Sequence, residues 1–351
     1  MKGVQQYRPR TTRSLAIVST CGDTSSAFFH VEAIERLRMA QDLYHVPVLI
    51  NEIVAIFSDQ PAGVVVDATV GGGGHAAALL EAAPQLRLLG IDRDPDARGA
   101  ARMALTRFGD RVLVVEGTFA QLGDVVRKHD AFVGTEALVG VLMDLGVSSH
   151  QFDEGERGFS FRVDAPLDMR MDPTAGVTAA VFLASVNQHE LVRILRASGE
   201  ARFANAIAKS LIETQPQTTF ELTAAVERAV PMAARRRGHV ATRVYQALRI
   251  AVNDEEGQLA LGLASALDEL IIGGVLAVIS YHSGEDRAVK AYLADQAKGG
   301  CTCPPTLECV CGATPRVVVA KASARLASSD EVAHNPRARS ARLRSARKVA
   351  P

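Results

Sequence analysis

The sequence predicts an open α/β fold: a mostly parallel sheet interrupted by a block of helices. Three observations predict it. First, the β-branched run Val64–Val65–Val66 ends in Asp67, and four glycines (Gly71 to Gly74) and an alanine-rich segment (Ala76 to Ala83) follow. Strand, glycine turn and helix, in that order, form the unit on which open α/β sheets seat nucleoside ligands. Second, further short apolar runs recur with helical segments between them, the alternation expected of a parallel sheet. Third, residues 178–230 carry helical periodicity alone and feed no strand.

Taken in order, residues 1–43 are polar and lack periodicity, which predicts a flexible N-terminal extension. Ordered structure is expected from His45–Val46–Pro47–Val48–Leu49, with Asn51 to Phe57 as a short helix leading into the first strand. Leu86 to Asp92 is a second strand, again ending in an acid. Asp94 and Pro95 are the cap and first residue of a helix that reaches about Phe108. Arg111 to Val115 is a third strand with Phe119 just beyond its carboxyl edge, and Ala137 to Met143 is a fourth, ending at Asp144. Asp67, Asp92, Phe119 and Asp144 thus share the sheet edge at which such folds bind ligands.

The stretch Glu156–Pro173 has neither period and is dense in Arg, Asp, Phe and Met, as a functional loop is. Helices are expected at 178–185, 187–196, 200–214 and 219–230. Leu259 to Ile272 is an amphipathic helix, with Gly273–Gly274 as its cap. Val275 to Ser280 is a buried strand, and Tyr281–Arg287 opens a helix ending near Ala297. Arg316 to Ala320 is another strand, and the tail around Ala341, Leu343 and Ser345 allows a last one with a basic face. The predicted organisation is a core of residues 44–150 and 253–351 with a helical, substrate-recognising insertion at 151–252.

The chemistry follows from the sheet edge. Asp92 lies where a carboxylate accepts hydrogen bonds from ribose hydroxyls. Gly71, Gly73 and Ala76 satisfy a dinucleotide pattern, so an NAD-dependent oxidoreductase is one reading, although no hydride-transfer site is evident. Asp67 favours another: a carboxylate beside the loop repels a pyrophosphate but suits a ligand bearing an ammonium and a sulfonium, as S-adenosylmethionine does. Phe119 is equally an adenine platform or ordinary core. A non-catalytic RNA-binding protein is a third reading, opposed by the intact glycine loop and paired acids.

Charge is balanced, 39 basic against 39 acidic residues, so any nucleic-acid affinity must come from local patches. Arg235, Arg236 and Arg237 form one basic cluster, and Arg337, Arg339, Arg342, Arg344 and Arg347 stud the tail. Each is a phosphate-binding candidate or a solvated face. The longest apolar stretch, Ile271 to Ile279, is too short to span a bilayer, and a cytoplasmic location is expected. Cys301, Cys303, Cys309 and Cys311 are either a structural zinc site, although with one residue between paired ligands rather than two, or a loop of thiols.

Together these motifs resemble one family, the bacterial S-adenosylmethionine-dependent cytosine-N4 methyltransferases of small-subunit ribosomal RNA, called RsmH or MraW. The resemblance spans His45 to Lys348. It rests on His45–Leu49, the glycine loop through His75, Asp92–Pro95, Asp144–Leu145–Gly146–Val147–Ser148–Ser149, Glu156–Pro173, Ala241–Ile250, Ile279–Arg287 and Asn335–Ser340. It implies a class I, Rossmann-like methyltransferase core, with the small-subunit RNA as partner. Implied cofactor contacts are Gly73, Gly74, His75, Asp92, Phe119, Asp144 and Gln151. His75 and Gln151 rest on the resemblance alone. Two departures are Tyr281, where Phe is more usual, and Gly284, where Leu is. The Asp/Asn-Pro-Pro-aromatic signature of many amino-methyltransferases is absent, which leaves Asp144 and Ser148 as the candidate proton acceptors.

Overall fold

A computed structural model describes residues 47–134, 137–146, 155–235, 240–304, 310–320 and 324–351. The expected N-terminal extension, with His45, Ser148, Gln151, Arg236, Arg237 and Cys309, lies outside the described residues.

Helix α1 (Ile50–Phe57) precedes β1 (Gly63–Asp67), α2 (Gly74–Ala82), β2 (Leu86–Asp92), α3 (Pro95–Leu105), β3 (Val112–Glu116), α4 (Leu122–Lys128) and β4 (Leu138–Asp144). After the helical segment come α10 (Glu255–Glu269), β5 (Val275–Ser280), α11 (Ser283–Lys298), β6 (Val317–Val319), β7 (Arg325–Leu326), α12 (Ser329–His334) and β8 (Arg342–Lys348). The strands form one sheet in the order β3-β2-β1-β4-β5-β8-β6, with β7 also paired to β8. Strands β1 to β5 are parallel, and β8 runs antiparallel to β5, β6 and β7.

Helices cover both faces, so the central strands are continuously apolar. Every residue of β1 and of β5 is buried. Val65, Leu88, Val139 and Ile279 pack on the face of α1 to α3, and Val66, Ile91, Val141 and Val278 pack with Leu122, Leu263 and Leu293 on the other. A third hydrophobic cluster is made wholly of residues 159–252. It joins α5 (Ala179–Ser185), α6 (Gln188–Ala197), α7 (Ala204–Thr214), α8 (Thr219–Ala229) and α9 (Val240–Val252) to Phe159, Leu167, Met169 and Met171 of the irregular loop.

Three local expectations need correction. Helix α10 ends at Glu269, because Leu270 turns extended and buries its side chain; Gly273 (φ 94°) serves the turn into β5, where its N–H donates to Lys348 O. Residues 200–203 form a turn in which the buried Glu200 receives the Phe203 N–H and pairs with Arg243. Strand β8 exposes Arg342 and Arg347, but its other basic residues are turned inward or paired. Its Arg344 is buried and makes two hydrogen bonds to Asp286, Arg342 lies 3.5 Å from the same carboxylate, and Lys348 donates to Asp268 O and Leu270 O.

Candidate active site

Strand order reverses between β1 and β4, and at that switch point a cleft of about 630 Å³ opens at the strands' carboxyl ends. The turns after all five parallel strands line it: Ala68–Gly72 after β1, Asp92 and Arg93 after β2, Gly117–Phe119 after β3, Asp144–Gly146 after β4, and Tyr281–His282 after β5. The insertion supplies the facing wall, including Phe159–Arg162 and, from α9, Thr242, Tyr245, Gln246 and Arg249.

The glycine loop is built on conformations that side chains resist. Gly71 (φ 52°) and Gly73 (φ 84°) are left-handed, and a Cβ on Gly74 would collide with Pro47. Gly71, Gly72 and Gly74 line the cleft, whereas Gly73 packs against Ala101 and Leu105 of α3. Asp92 is tied to the loop, its two oxygens accepting from Gly71 N and Asp94 N at 2.9 Å each. Burial raises its pKa above the usual carboxylate range, against the pull of those two N–H groups. Phe119 lines the cleft and packs over Gly262 of α10.

Asp144 sits at the centre. Its backbone N–H donates to Thr69 Oγ1 (2.7 Å), Tyr281 donates its hydroxyl to Oδ1 (2.8 Å), and His75 Nδ1 lies 3.7 Å from Oδ2. The other ring nitrogen of His75, Nε2, is 2.8 Å from Val48 O; a carbonyl only accepts, so Nε2 carries the hydrogen. Burial pushes the Asp144 carboxyl up, while His75 and the Tyr281 hydroxyl pull it back. Asp67, read from the sequence as facing the ligand, lies 1% exposed behind the loop, accepting from Thr69 N, and does not line the cleft. Burial raises its pKa to about 7, with Asp144 and Asp92 adding to the effect and His75 opposing it.

The insertion wall is fastened to this edge by groups the sequence did not single out. Asn253 Nδ2 donates to Met169 O (2.8 Å) and Arg249 O (2.9 Å), and its Oδ1 accepts from Met171 N (2.8 Å). Arg157 bridges Asp94 (3.4 Å) to the carbonyls of Arg170 and Met171, and Arg249 pairs with Glu255 through two 2.8 Å hydrogen bonds. Phe161 stands 44% exposed at the cleft, edge-on to Tyr245 with ring centroids 5.5 Å apart.

Of the basic candidates, Arg337 lines the cleft and Arg339 is exposed, while Arg235 closes a short helical turn, Met232–Arg235. Arg347 reaches Gly273 O, and with Arg344 paired to Asp286 the tail offers fewer open cations than its composition suggests. Outside the cleft lining, the thiols of Cys301, Cys303 and Cys311 lie within 4.8 Å of one another, Cys301 and Cys311 at 3.5 Å.

Comparison with known proteins bears on what this cleft serves. The model of the MraW methylase family matches residues 42–349. A ribosomal RNA small subunit methyltransferase H from Heliobacterium modesticaldum is 47% identical over 313 residues, covering 87% of this chain and 99% of that one. Its counterpart from Symbiobacterium thermophilum is 48% identical over 313 residues, covering 87% and 97%. The nicotinamide reading finds no support beside these. With the match running from the first described residues through β8, across the parallel sheet and its cleft, this chain belongs to the MraW methylase family.

Proposed function

We propose that this chain methylates the exocyclic N4 amine of a cytosine in small-subunit ribosomal RNA, with the decoding region as the target implied by the family. The observation that carries the reading is Asp144. It is a carboxylate at the end of β4 that lines the cleft, hydrogen-bonded by Tyr281, with its backbone N–H on Thr69 and His75 Nδ1 3.7 Å away. The relatives' names supply the RNA.

S-adenosylmethionine supplies the electrophilic methyl group. Asp92 is the acceptor for the ribose hydroxyls, Phe119 the platform for adenine, and Gly71, Gly72 and Gly74 let the backbone come close, with His75 and Gln151 completing the site. The N4 amine of cytosine is a weak nucleophile because its lone pair is delocalised into the ring. The enzyme's task is therefore to orient the amine and take a hydrogen bond from it. Asp144 does this and receives the proton that the nitrogen sheds once the methyl has joined it, with Ser148 as the alternative acceptor. The exposed Phe161 stacks on the unstacked base. Arg337 and Arg339, with Arg235, Arg236 and Arg237 of the insertion, neutralise phosphates. Residues 151–252 are the recognition insertion on the 44–150 and 253–351 core. This reading places the protein in the cytoplasm with its substrate; among the described residues no helix is long and apolar enough to cross a membrane.

A structural zinc at the cysteines is part of this proposal. In a tetrahedral thiolate site with Zn–S near 2.3 Å the sulfurs sit roughly 3.7 Å apart. Cys301 and Cys311 are close to that separation and Cys303 is within reach. Cys309 is the fourth ligand by sequence.

The test is methylation of purified, unmodified small subunits with isotopically labelled S-adenosylmethionine, followed by digestion to nucleosides and mass spectrometry. Label in N4-methylcytidine is expected; label confined to any other nucleoside refutes the assignment.

A further inference from the structure

Tyr281 is the residue whose side-chain hydroxyl hydrogen-bonds the Asp144 carboxylate. Residue 281 immediately follows β5, and its backbone N–H is pinned by Glu285 Oε2 at 2.8 Å. Its ring lies against the turn after β4, where Gly146 (φ 107°) leaves room for it: a Cβ there would sit 3.4 Å from the ring. From this seat the hydroxyl reaches back 2.8 Å to Asp144 Oδ1. A phenylalanine would fill the same seat and leave that oxygen without this donor.

We propose that Tyr281 is a positioning residue for methyl transfer. Its hydroxyl fixes the Asp144 carboxylate through Oδ1, so that Oδ2 is the oxygen presented to the target amine, and it keeps the group in its acceptor form. The proposal rests on the reading of Asp144 as proton acceptor.

The surroundings explain why such a donor matters. Asp144 is faced by Asp67 from β1, His75 from α2 and Glu285 from α11, with Glu331 of α12 beyond Tyr281 and Arg249 of α9 beyond Glu285. A buried carboxylate among other carboxylates takes up a proton unless donors hold it ionised. Among the described residues, the Tyr281 hydroxyl is the one side-chain hydrogen-bond donor to this carboxylate; His75 Nδ1 stands 3.7 Å from Oδ2. Arg249 does not substitute, because its guanidinium is engaged by Glu255. The phenol itself stays protonated, since burial and the adjacent Asp144 charge hold its pKa well above the ordinary tyrosine value. It therefore acts only as a donor over the working pH range.

The experiment measures kcat against pH on purified small subunits at saturating S-adenosylmethionine, for the full chain, Tyr281→Phe and Asp144→Asn, with cofactor affinity by calorimetry. For Tyr281→Phe the acidic limb of kcat should move up by about one pH unit, since a lost donor favours the protonated acid. Melting temperature and cofactor Kd should stay near the parent's. Replacing Tyr281 with 2,3-difluorotyrosine, a stronger donor of the same shape, should move the limb the other way, and this serves if the Phe variant folds poorly. Asp144→Asn should lose at least a hundredfold in kcat. An inactive Asp144→Asn beside an unmoved limb in both residue-281 variants overturns the positioning role alone. A fully active Asp144→Asn overturns the acceptor reading, and the role of Tyr281 falls with it.

Discussion

Asn253→Ala should loosen the cleft wall without touching the cofactor side. The side chain is 8% exposed and joins the end of α9 to the Met169–Met171 turn through two hydrogen bonds, with a third back to Arg249 O of α9. That turn needs holding, because Met169 is a fully buried non-glycine residue in the left-handed region (φ 61°), a conformation that costs on the order of 1–3 kcal/mol. Truncation leaves Met171 N–H and Met169 C=O without these partners. At about 1–3 kcal/mol for each of the two unsatisfied buried groups, roughly 2–6 kcal/mol of local stability is at stake. Because 1.4 kcal/mol is about tenfold in an equilibrium, amide exchange across residues 167–173 should speed up by about thirtyfold or more. Hydrogen-exchange mass spectrometry reads this directly, with peptides from β1 and β2 as internal controls. Methyl transfer should fall through a raised KM for the small subunit, while cofactor affinity holds. Unaltered exchange over 167–173 in a folded variant would refute the clamp.

Other expectations follow from the same geometry. Asp67→Asn should change how stability depends on pH. Burial lifts the Asp67 pKa from 3.8 to about 7, so its contribution is complete below pH 3.8 and is lost as pH rises towards 7. The Asn variant lacks that decline, and urea unfolding should show it gaining on the parent by on the order of 2–4 kcal/mol between pH 4 and 7; parallel stability curves would contradict this. Asp92→Ala should weaken S-adenosylmethionine binding by ~1–3 kcal/mol in calorimetry, and unchanged affinity would remove it from the site. Protein made with ample zinc should contain about one equivalent of metal by elemental analysis, lost together in Cys301→Ser and Cys311→Ser; metal-free protein would leave a reduced thiol cluster. Alanine at Arg337 and Arg339 should each flatten the salt dependence of RNA binding by about one unit of slope, and a retained slope would take them out of the interface.

Much of this architecture is legible in one sequence because buried parallel strands are continuous apolar runs. Leu86–Asp92 and Val275–Ser280 are read at their observed bounds. The acids that end β2 and β4 are legible for the same reason: a charged residue directly after a buried strand must sit at its carboxyl edge. Asp67 shows the limit of that argument. Being at the edge does not say whether a side chain faces the cleft or folds back behind the loop, which depends on where Thr69 and the glycine turn go. Helix α9 was obscured by the arginines before it, although Val240, Val244, Ala247 and Leu248 have helical spacing and all are buried. The basic residues of β8 misled because their partners, Asp286 for Arg344 and the carbonyls of Asp268 and Leu270 for Lys348, are remote in sequence. Asn253 and Tyr281 act through contacts 82 and 137 residues away. No local pattern encodes such pairs.

The place of β8 in the sheet bears on how the chain is made. This strand lies between β5 and β6, yet it comes after every other strand in the chain. While the chain is being synthesised, the first four strands can assemble, but β4 must wait through residues 145–274 for β5 to cover its flank. The helical segment, with a hydrophobic cluster of its own, can collapse during that interval. Strand β5 in turn keeps an open edge, apolar from Val275 to Ile279, until Arg342–Lys348 arrives to seal it. Late synthesis is therefore the interval in which the nascent protein is most exposed to wrong strand pairing, and the loss of β8 would leave that edge permanently open.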